Sequence, residues 1–433
     1  MSLRLITKQN PRKYIPQFTR QMTSSRRVGD RSKKKRVHHL EIVTEKWKIF
    51  SKIHFLMEVI QSQPESVIPI SNLDHYRRQI NLPKPYKMSD FLKKSPEIFD
   101  FYKDCKGVLW VGMTQKAEEL LDEEEKVIGL YSDQAAEYVT RCLMMSINKR
   151  LRIDKIAHFR RDFGLPLDFR KDWVHNFPSL FRVAKCREGD DEIEYLELVE
   201  WKKEWAVTEL EKRIGSLCGE AVGGEEPGML SLAFPMKFPP MFKDVYKFSG
   251  KLEQFQRREY LSPYADARGL MAGSVEFDKR AVAIMHELLS FTLEKRLVTD
   301  HLTHFRREMV MPQKLMRLLL KHFGIFYVSE RGKRFHVFLN EAYEGSELIE
   351  KSPLVLWREK VHSLIGYRGK RKAATFEELS DVEDKNMWNS ESEDEGSQMD
   401  LEKENTISVL DDDLLADDDE MDIDEVSRAY KDG

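Results

Sequence analysis

Three histidines in this chain open the same four-residue pattern, in which an aromatic residue and then two arginines follow. Guanidinium groups pair with phosphates, and aromatic or guanidinium planes stack on unpaired bases, so the pattern suits nucleic-acid binding. Alternatively, the arginines pair with nearby acids or hold helices together. We leave these two roles open for the first arginine and favour binding for the second. The candidate contacts are His75, Arg77, Arg78, His158, Arg160, Arg161, His304, Arg306 and Arg307.

Further bases recur at corresponding places behind each pattern, on the next predicted helix and hairpin. Any one of them alone would be read as a solvated surface charge, and only their recurrence makes the set noteworthy. The candidates added from these segments are Arg170, Lys171, Lys314, Arg317, Lys333 and Arg334.

Motifs for catalysis and metal binding are absent from the sequence. It has no G-x-S-x-G, Walker loop, paired acidic metal motif or H-E-x-x-H. His301 and His304 have a spacing that could hold a metal, but two solvated histidines on a helix are the better interpretation. The four cysteines stand far apart without a C-x-x-C pair, which argues against a zinc site and a disulfide framework. We therefore expect no enzyme, cofactor, metal or small-molecule substrate.

The histidine pattern is predicted to lie on a helix. Leu73, Tyr76 and Ile80 recur at i, i+3 and i+7, which places them on one stripe, and the other two copies repeat this spacing. A proline seven residues after each aromatic ends that helix and suits the first turn of a second one. In the second copy this next helix would carry an aromatic stripe at Phe169, Trp173 and Phe177.

Each copy then continues into short apolar runs around turn residues, which predict β-hairpins. The result is an α+β, mainly helical chain built from tandem helix–turn–helix–hairpin units that are winged-helix-like in outline. The hairpins fall at residues 101–114, 182–199 and 327–339, and the units at residues 71–120, 151–199 and 299–348, with a partial copy at residues 231–260. Long helices are predicted over residues 117–148 and 277–296, and a glycine-rich linker over residues 216–228.

Charge divides the chain into three parts. Residues 1–38 hold 12 Lys and Arg against one acid, which is typical of an organellar transit peptide, with mitochondrion favoured over chloroplast because arginine dominates. A nucleic-acid-binding arm or a nuclear import signal is the alternative. Residues 373–433 hold 23 acids and 4 bases and predict a disordered tail. No apolar run approaches the roughly 18 residues of a membrane span.

Several blocks carry a family resemblance, in a characteristic order: LPLDFRKDWVHNFPSLFRV, YLELVEWKKEWA, LAFPMKFPPMF, LSPYADARGL and HLTHFRREMVMPQKLMRLLLKHFGIFYVSERGKR. They resemble the plant organelle RNA recognition (PORR) domain of the what's-this-factor family. The resemblance covers roughly Lys46 to Lys370, and we place the domain at residues 40–372. The resemblance implies import into mitochondria or chloroplasts, binding to organellar RNA and non-catalytic help in splicing group II introns. It carries no residue-level recognition code. The third copy departs mildly, because it has Gly324 at the position where the other two copies have Pro96 and Pro178.

The partner expected from these features is intron-containing organellar RNA, together with other splicing factors of a ribonucleoprotein. Two alternatives stay open: a winged-helix-like DNA-binding regulator in the organelle or nucleus, and a protein-interaction scaffold. Composition does not separate the three, and the resemblance favours RNA.

Overall fold

The computed structural model describes residues 36–82, 85–188, 191–218, 226–240, 242, 246–329 and 335–366. Residues 1–35 of the basic leader, the acidic tail, the centre of the glycine-rich linker and the turns of the second and third hairpins lie outside this part of the chain. The candidate residues Lys333 and Arg334 lie outside it as well.

The first repeat begins with a long helix that its sequence unit did not include. The antiparallel strands have the order β1-β3-β2, and Gly107 turns the hairpin in a left-handed conformation (φ 79°), as predicted. The elements are α1 (His38–Gln61), a 3-10 turn (Pro64–Ser66), β1 (Val67–Pro69), α2 (Ile70–Leu73), a 3-10 turn (Asp74–Arg77), α3 (Met88–Leu92), β2 (Phe99–Lys103) and β3 (Leu109–Met113).

The second repeat has the same order of elements, with a sheet ordered β4-β6-β5. Thr114 starts its long helix, because the Thr114 hydroxyl accepts a hydrogen bond from the Ala117 N–H. The elements are α4 (Gln115–Met145), β4 (Arg150–Arg152), α5 (Ile153–His158), α6 (Arg160–Phe163), a 3-10 turn (Trp173–Asn176), β5 (Phe181–Glu188) and β6 (Asp191–Leu198).

The connection to the third repeat crosses the partial copy. Among its described residues there is no β-hairpin, and the Phe238 and Phe242 rings lie 5.6 and 4.9 Å from the ring of Phe323 in the third repeat. The elements are a 3-10 turn (Lys203–Trp205), α7 (Glu209–Cys218), β7 (Met229–Leu230), α8 (Tyr246–Arg257) and β8 (Tyr260–Leu261), with β7 paired to β8.

The third repeat follows the same plan, with a sheet ordered β9-β11-β10. Its elements are α9 (Val275–Phe291), β9 (Arg296–Val298), α10 (Thr299–Leu302), a 3-10 turn (Thr303–Phe305), α11 (Leu315–Lys321), β10 (Phe326–Ser329) and β11 (His336–Leu339). The chain ends, as far as it is described, with a 3-10 turn (Asn340–Ala342), the paired strands β12 (Tyr343–Glu344) and β13 (Glu347–Leu348), and α12 (Pro353–Leu364).

Three predicted helices are shorter than expected. In the first and third copies the histidine pattern follows a short α-helix and begins in a 3-10 turn, whereas in the second copy His158 ends α5 and the two arginines open α6. The aromatic stripe of the second copy is carried by turns and one 3-10 turn, with the Phe169 and Trp173 ring centroids 5.4 Å apart. The helix expected to reach Arg296 ends at Phe291, because the chain turns at Lys295 (φ 49°) and enters β9. The three predicted hairpins and the α+β composition are confirmed.

The second and third repeats pack face to face through equivalent residues. Phe159 and Phe305 stack with ring centroids 4.7 Å apart. The Ile147 N–H donates to the Glu308 carbonyl (2.9 Å), and the Leu293 N–H donates to the Asp162 carbonyl (2.8 Å). Because each contact is mirrored, the two repeats are related by an approximate two-fold axis and share one core. The first repeat has its own core, which Trp357 of α12 completes.

Candidate nucleic-acid interface

In the first repeat, the histidine pattern lies at the surface. His75 and Arg78 are exposed, and Arg78 forms no ion pair with any residue that the structure describes. Arg77 is half-buried and donates to the Asp74 carboxylate (3.3 Å) and to the Tyr86 carbonyl. Arg77 therefore holds the turn together, whereas His75 and Arg78 are accessible to a ligand.

In the second repeat, both arginines of the pattern are bound within the protein. Arg160 and Arg161 pair with the two oxygens of the Glu58 carboxylate in α1, at 2.7 Å for Arg160. Binding was favoured for Arg161, and an accessible side chain was therefore expected, but the side chain is only 28% exposed and lies 5.8 Å from the Phe55 ring centroid. This accessibility is not found because α1, which the repeat pattern had left out, packs on this face.

The Glu58 carboxyl has an unusual environment. Burial raises its pKa, but the nearby His54, Arg161 and Arg160 outweigh burial and lower the pKa to about 2. Glu58 is thus ionised at neutral pH and joins the first repeat to the second.

Three histidines form a stack at the junction of the second and third repeats: His158, His301 and His304. The His158 ring lies 4.7 Å from His304 and 5.7 Å from His301, with all three rings within about 22° of parallel. Parallel rings do not direct their nitrogens at a common point. No group of three or more His, Cys, Asp or Glu in the described part of the chain could hold a metal ion.

Two further candidates of the second repeat lie in the turns after α6. Arg170 and Lys171 are exposed. Arg170 pairs with Asp154, and both partners are about half exposed (49% and 51%). Such a pair contributes on the order of 1 kcal/mol or less, so a phosphate could displace the carboxylate.

In the third repeat, the candidates extend along α11. Lys314, Arg317 and Lys321 follow each other at i, i+3 and i+7 and are all exposed, which forms one basic stripe. Arg307 is exposed in the turn before this stripe, and Arg306 beside it is half-buried. This repeat offers the densest group of accessible bases among the predicted candidates.

Sequence reasoning missed a set of paired cations and aromatic rings around the second sheet. Arg150 lies 4.8 Å from the Tyr195 ring centroid, Lys149 4.8 Å from Trp201, and Lys202 4.3 Å from Trp205. Burial lowers the pKa of Lys149 to about 8. The available signal was the alternation of residues in β4 and β6, which places Arg150 and Tyr195 on the face away from the core.

A family model matches most of the chain. The model described as "Plant organelle RNA recognition domain" (PORR) matches residues 35–370. The chain belongs to this family. The PORR match includes all three repeats and every candidate residue.

Three relatives show how far the PORR similarity extends. "Protein WHAT'S THIS FACTOR 1 homolog, chloroplastic" of Arabidopsis thaliana is 36% identical over 319 residues, which is 72% of this chain and 58% of the relative. "Protein ROOT PRIMORDIUM DEFECTIVE 1" of the same plant is 34% identical over 358 residues, covering 79% and 85%. "Protein WHAT'S THIS FACTOR 9, mitochondrial", also of Arabidopsis thaliana, is 26% identical over 311 residues, covering 72% and 78%.

The chain thus matches less than two thirds of the length of the first of these relatives. No solved structure matches it. No helix among the described residues is both long and apolar enough to cross a bilayer.

Proposed function

We propose that this PORR protein binds intron-containing RNA in an organelle and promotes the splicing of group II introns without catalysing the reaction itself. The observation that carries the proposal is the family match over residues 35–370, which includes every described repeat. Exposed bases in each repeat, such as Arg78, Lys171 and Lys314, support it because they can neutralise phosphates.

The repeats are interpreted as winged-helix-like modules. In each one, a long helix, a short strand, short helical turns and a hairpin follow in order, and the first strand pairs with the last. In this interpretation α11 is the second helix of the third module. Its basic stripe is then the surface that such a module presents to a nucleic acid.

The mechanism follows from where the charges are fixed. The buried ion pair Arg141–Glu287 and the partly buried pairs of Glu58 with Arg160 and Arg161 join the repeats, so the exposed bases keep constant spacing. A rigid array of cations loses little conformational entropy when it binds a folded RNA. Such an array stabilises the RNA conformation that reacts, while the RNA supplies the chemistry.

The compartment is proposed to be the mitochondrion, because arginine outnumbers lysine in the leader. The chloroplast is the alternative, which the name of one relative supports, whereas the name of another supports the mitochondrion. Import of a fluorescent fusion of the full chain into isolated mitochondria or chloroplasts decides between them.

A binding competition tests the proposal against its alternatives. Purified full-length protein is titrated with a group II intron fragment and with duplex DNA of equal length, at several salt concentrations. The proposal expects tighter binding to the intron fragment and a loss of about 0.7 to 0.9 log units of affinity per log unit of salt for each phosphate neutralised. Equal or tighter binding to DNA would favour the DNA regulator. No binding to either would favour the protein scaffold.

The acidic tail is proposed to screen the basic repeats against non-specific RNA, or to recruit a basic partner. Removing residues 377–433 is expected to raise affinity for unrelated RNA. Unchanged affinity would remove the screening role.

A further inference from the structure

The three sheets differ in what lies on the face turned away from the core, which we call the outer face. In the third sheet this face carries Arg296, Phe338 and His336 on alternate positions of β9 and β11. In the second sheet the corresponding strands β4 and β6 place Arg150, Arg152 and Tyr195 there. Arg296 and Arg150 are equivalent, since each is the first residue of its strand and each follows a lysine in a left-handed conformation.

On the third sheet, α1 covers the outer face. The Trp47 indole lies over the Arg296 guanidinium, 4.1 Å from its carbon, and against the His336 ring at 5.0 Å. Arg296 and Phe338 are fully buried as a result (both 0% exposed). The fold itself thus shows a planar ring seated on the arginine at this position.

On the second sheet, the same face is accessible. The Arg182 side chain, from the neighbouring strand β5, is 72% exposed, and Arg150 and Tyr195 are half-buried. The acids that meet the three arginines of this face are Glu197, 3.1 Å from Arg182, and Asp154, 3.7 Å from Arg152. The face therefore has a surplus of positive charge around one aromatic ring.

We propose that the outer face of the second sheet binds unpaired bases of single-stranded RNA, which stack on Arg150 and Tyr195 while Arg182 contacts a phosphate. The proposal rests on the proposed RNA-binding function and assigns a site to it. Bases stack on aromatic and guanidinium planes whatever their sequence. A base on Arg150 would occupy the place that the Trp47 indole takes on Arg296.

The outer face of the first sheet also carries an aromatic pair. Tyr102 and Trp110 lie directly opposite each other on β2 and β3, and Tyr102 is 47% exposed. Directly opposed aromatic residues on an uncovered sheet can hold successive bases.

The test compares single-stranded RNA with the same sequence as a duplex, using the full chain and fluorescence anisotropy. Tyr195→Leu is expected to weaken single-strand binding on the order of tenfold and leave duplex binding unchanged, because only unpaired bases can stack. Tyr195→Phe keeps the ring and is expected to bind as the wild type does. Lys185→Gln is the charge control, since Lys185 is opposite Glu194 on the other face of β5. If Tyr195→Leu melts at a lower temperature than the wild type, Arg182→Gln replaces it in the comparison. The Arg182 side chain is mostly exposed, so this substitution should not change the stability of the fold.

The outcomes separate the site from the function. Wild-type protein that binds no RNA would overturn the proposed function and this site with it. RNA binding that is unchanged in both Tyr195→Leu and Arg182→Gln would overturn the site alone. Equal losses for single strand and duplex would overturn stacking in favour of phosphate contact only. If an aromatic peptide displaces RNA from the wild type and its binding depends on Tyr195, the face would be assigned to a protein partner instead.

Discussion

Arg141 and Glu287 occupy equivalent positions of the long helices α4 and α9 and form an ion pair across the approximate two-fold axis, with 2.5 Å between Nη2 and Oε1. They are 146 residues apart, the same separation as His158 and His304. The Tyr264 hydroxyl bonds to both, at 2.9 Å from Arg141 and 2.6 Å from Glu287. Both charged side chains are buried, so their hydrogen bonds replace the water they have lost.

This pair makes the junction of the two repeats sensitive to single substitutions. Arg141→Met leaves the Glu287 carboxylate buried without its cation, which should lower the free energy of unfolding by about 3–5 kcal/mol. Urea unfolding followed by circular dichroism measures the change. Lys116→Met is the control, because Lys116 and its partner Glu97 are both mostly exposed and should contribute about 0.5 kcal/mol or less. A cost below about 1 kcal/mol for Arg141→Met would contradict a structural role.

Glu58 predicts a pH-dependent junction between the first and second repeats. Its folded pKa of about 2 lies below the ordinary 4.5, so its stabilisation is complete above pH 4.5 and is lost as the pH falls toward 2. Glu58→Gln should therefore cost roughly 3 kcal/mol at pH 7 and much less near pH 2. Unfolding of both proteins across this range gives the comparison, with exposed Glu118→Gln as control. A pH-independent difference would mean that the Glu58 charge is not what joins the repeats.

How far the sequence predicts this structure is clear from particular residues. Strand alternation and the three turn signals locate the hairpins, and helical spacing identifies Phe159 and Phe305 as core residues, which are 0% and 1% exposed. These are local properties of the chain. The role of Arg161 could not be predicted, because its partner Glu58 lies 103 residues earlier, in a helix that the repeat pattern does not include.

The candidate site was predicted only in part for a similar reason. Recurrence shows that the histidine pattern belongs to a repeated unit, but not which copies are used for packing. The His158 and His304 rings of two copies stack on each other, and His304 is half-buried, whereas His75 of the first copy and His158 of the second are exposed. The position of α1 determines which outer sheet face is covered. The sequence around Trp47 contains no pattern that predicts its contact with Arg296.

His322 is expected to make the third repeat acid-sensitive. Burial, and the charge of Lys321 to a smaller extent, lower its pKa to about 3, and neither ring nitrogen has a hydrogen-bond partner among the described residues. The folded state therefore keeps His322 neutral while the unfolded chain takes up a proton below pH 6.5. Stability should fall by up to about 1.4 kcal/mol per pH unit between pH 6.5 and 3.

His322→Leu removes this proton uptake and should flatten the pH dependence of the unfolding free energy over the same range. Thermal unfolding between pH 4 and pH 7 provides the measurement. His175→Leu is the matched control, because His175 is exposed. An equal pH slope in His322→Leu and the wild type would show that His322 is protonated or hydrated in the folded protein.

Lys314 is the cleanest test of phosphate contact on the basic stripe of α11. Lys314→Gln should weaken binding to RNAs of any sequence and reduce the slope of log affinity against log salt by about 0.7 for a single strand. Filter binding at several salt concentrations gives both quantities. Lys116→Gln removes the same charge from a position outside the stripe and should leave the slope unchanged. Equal effects of both substitutions would point to net charge rather than to a contact.

The central claim, that this PORR protein recognises particular introns, is tested most directly by crosslinking the tagged full chain in purified organelles and sequencing the bound RNA. The account predicts enrichment of one or a few intron regions, with those introns left unspliced in a mutant that lacks the protein. Diffuse recovery across transcripts, or none above the untagged control, would contradict specific RNA recognition and favour the DNA-binding or scaffold alternatives.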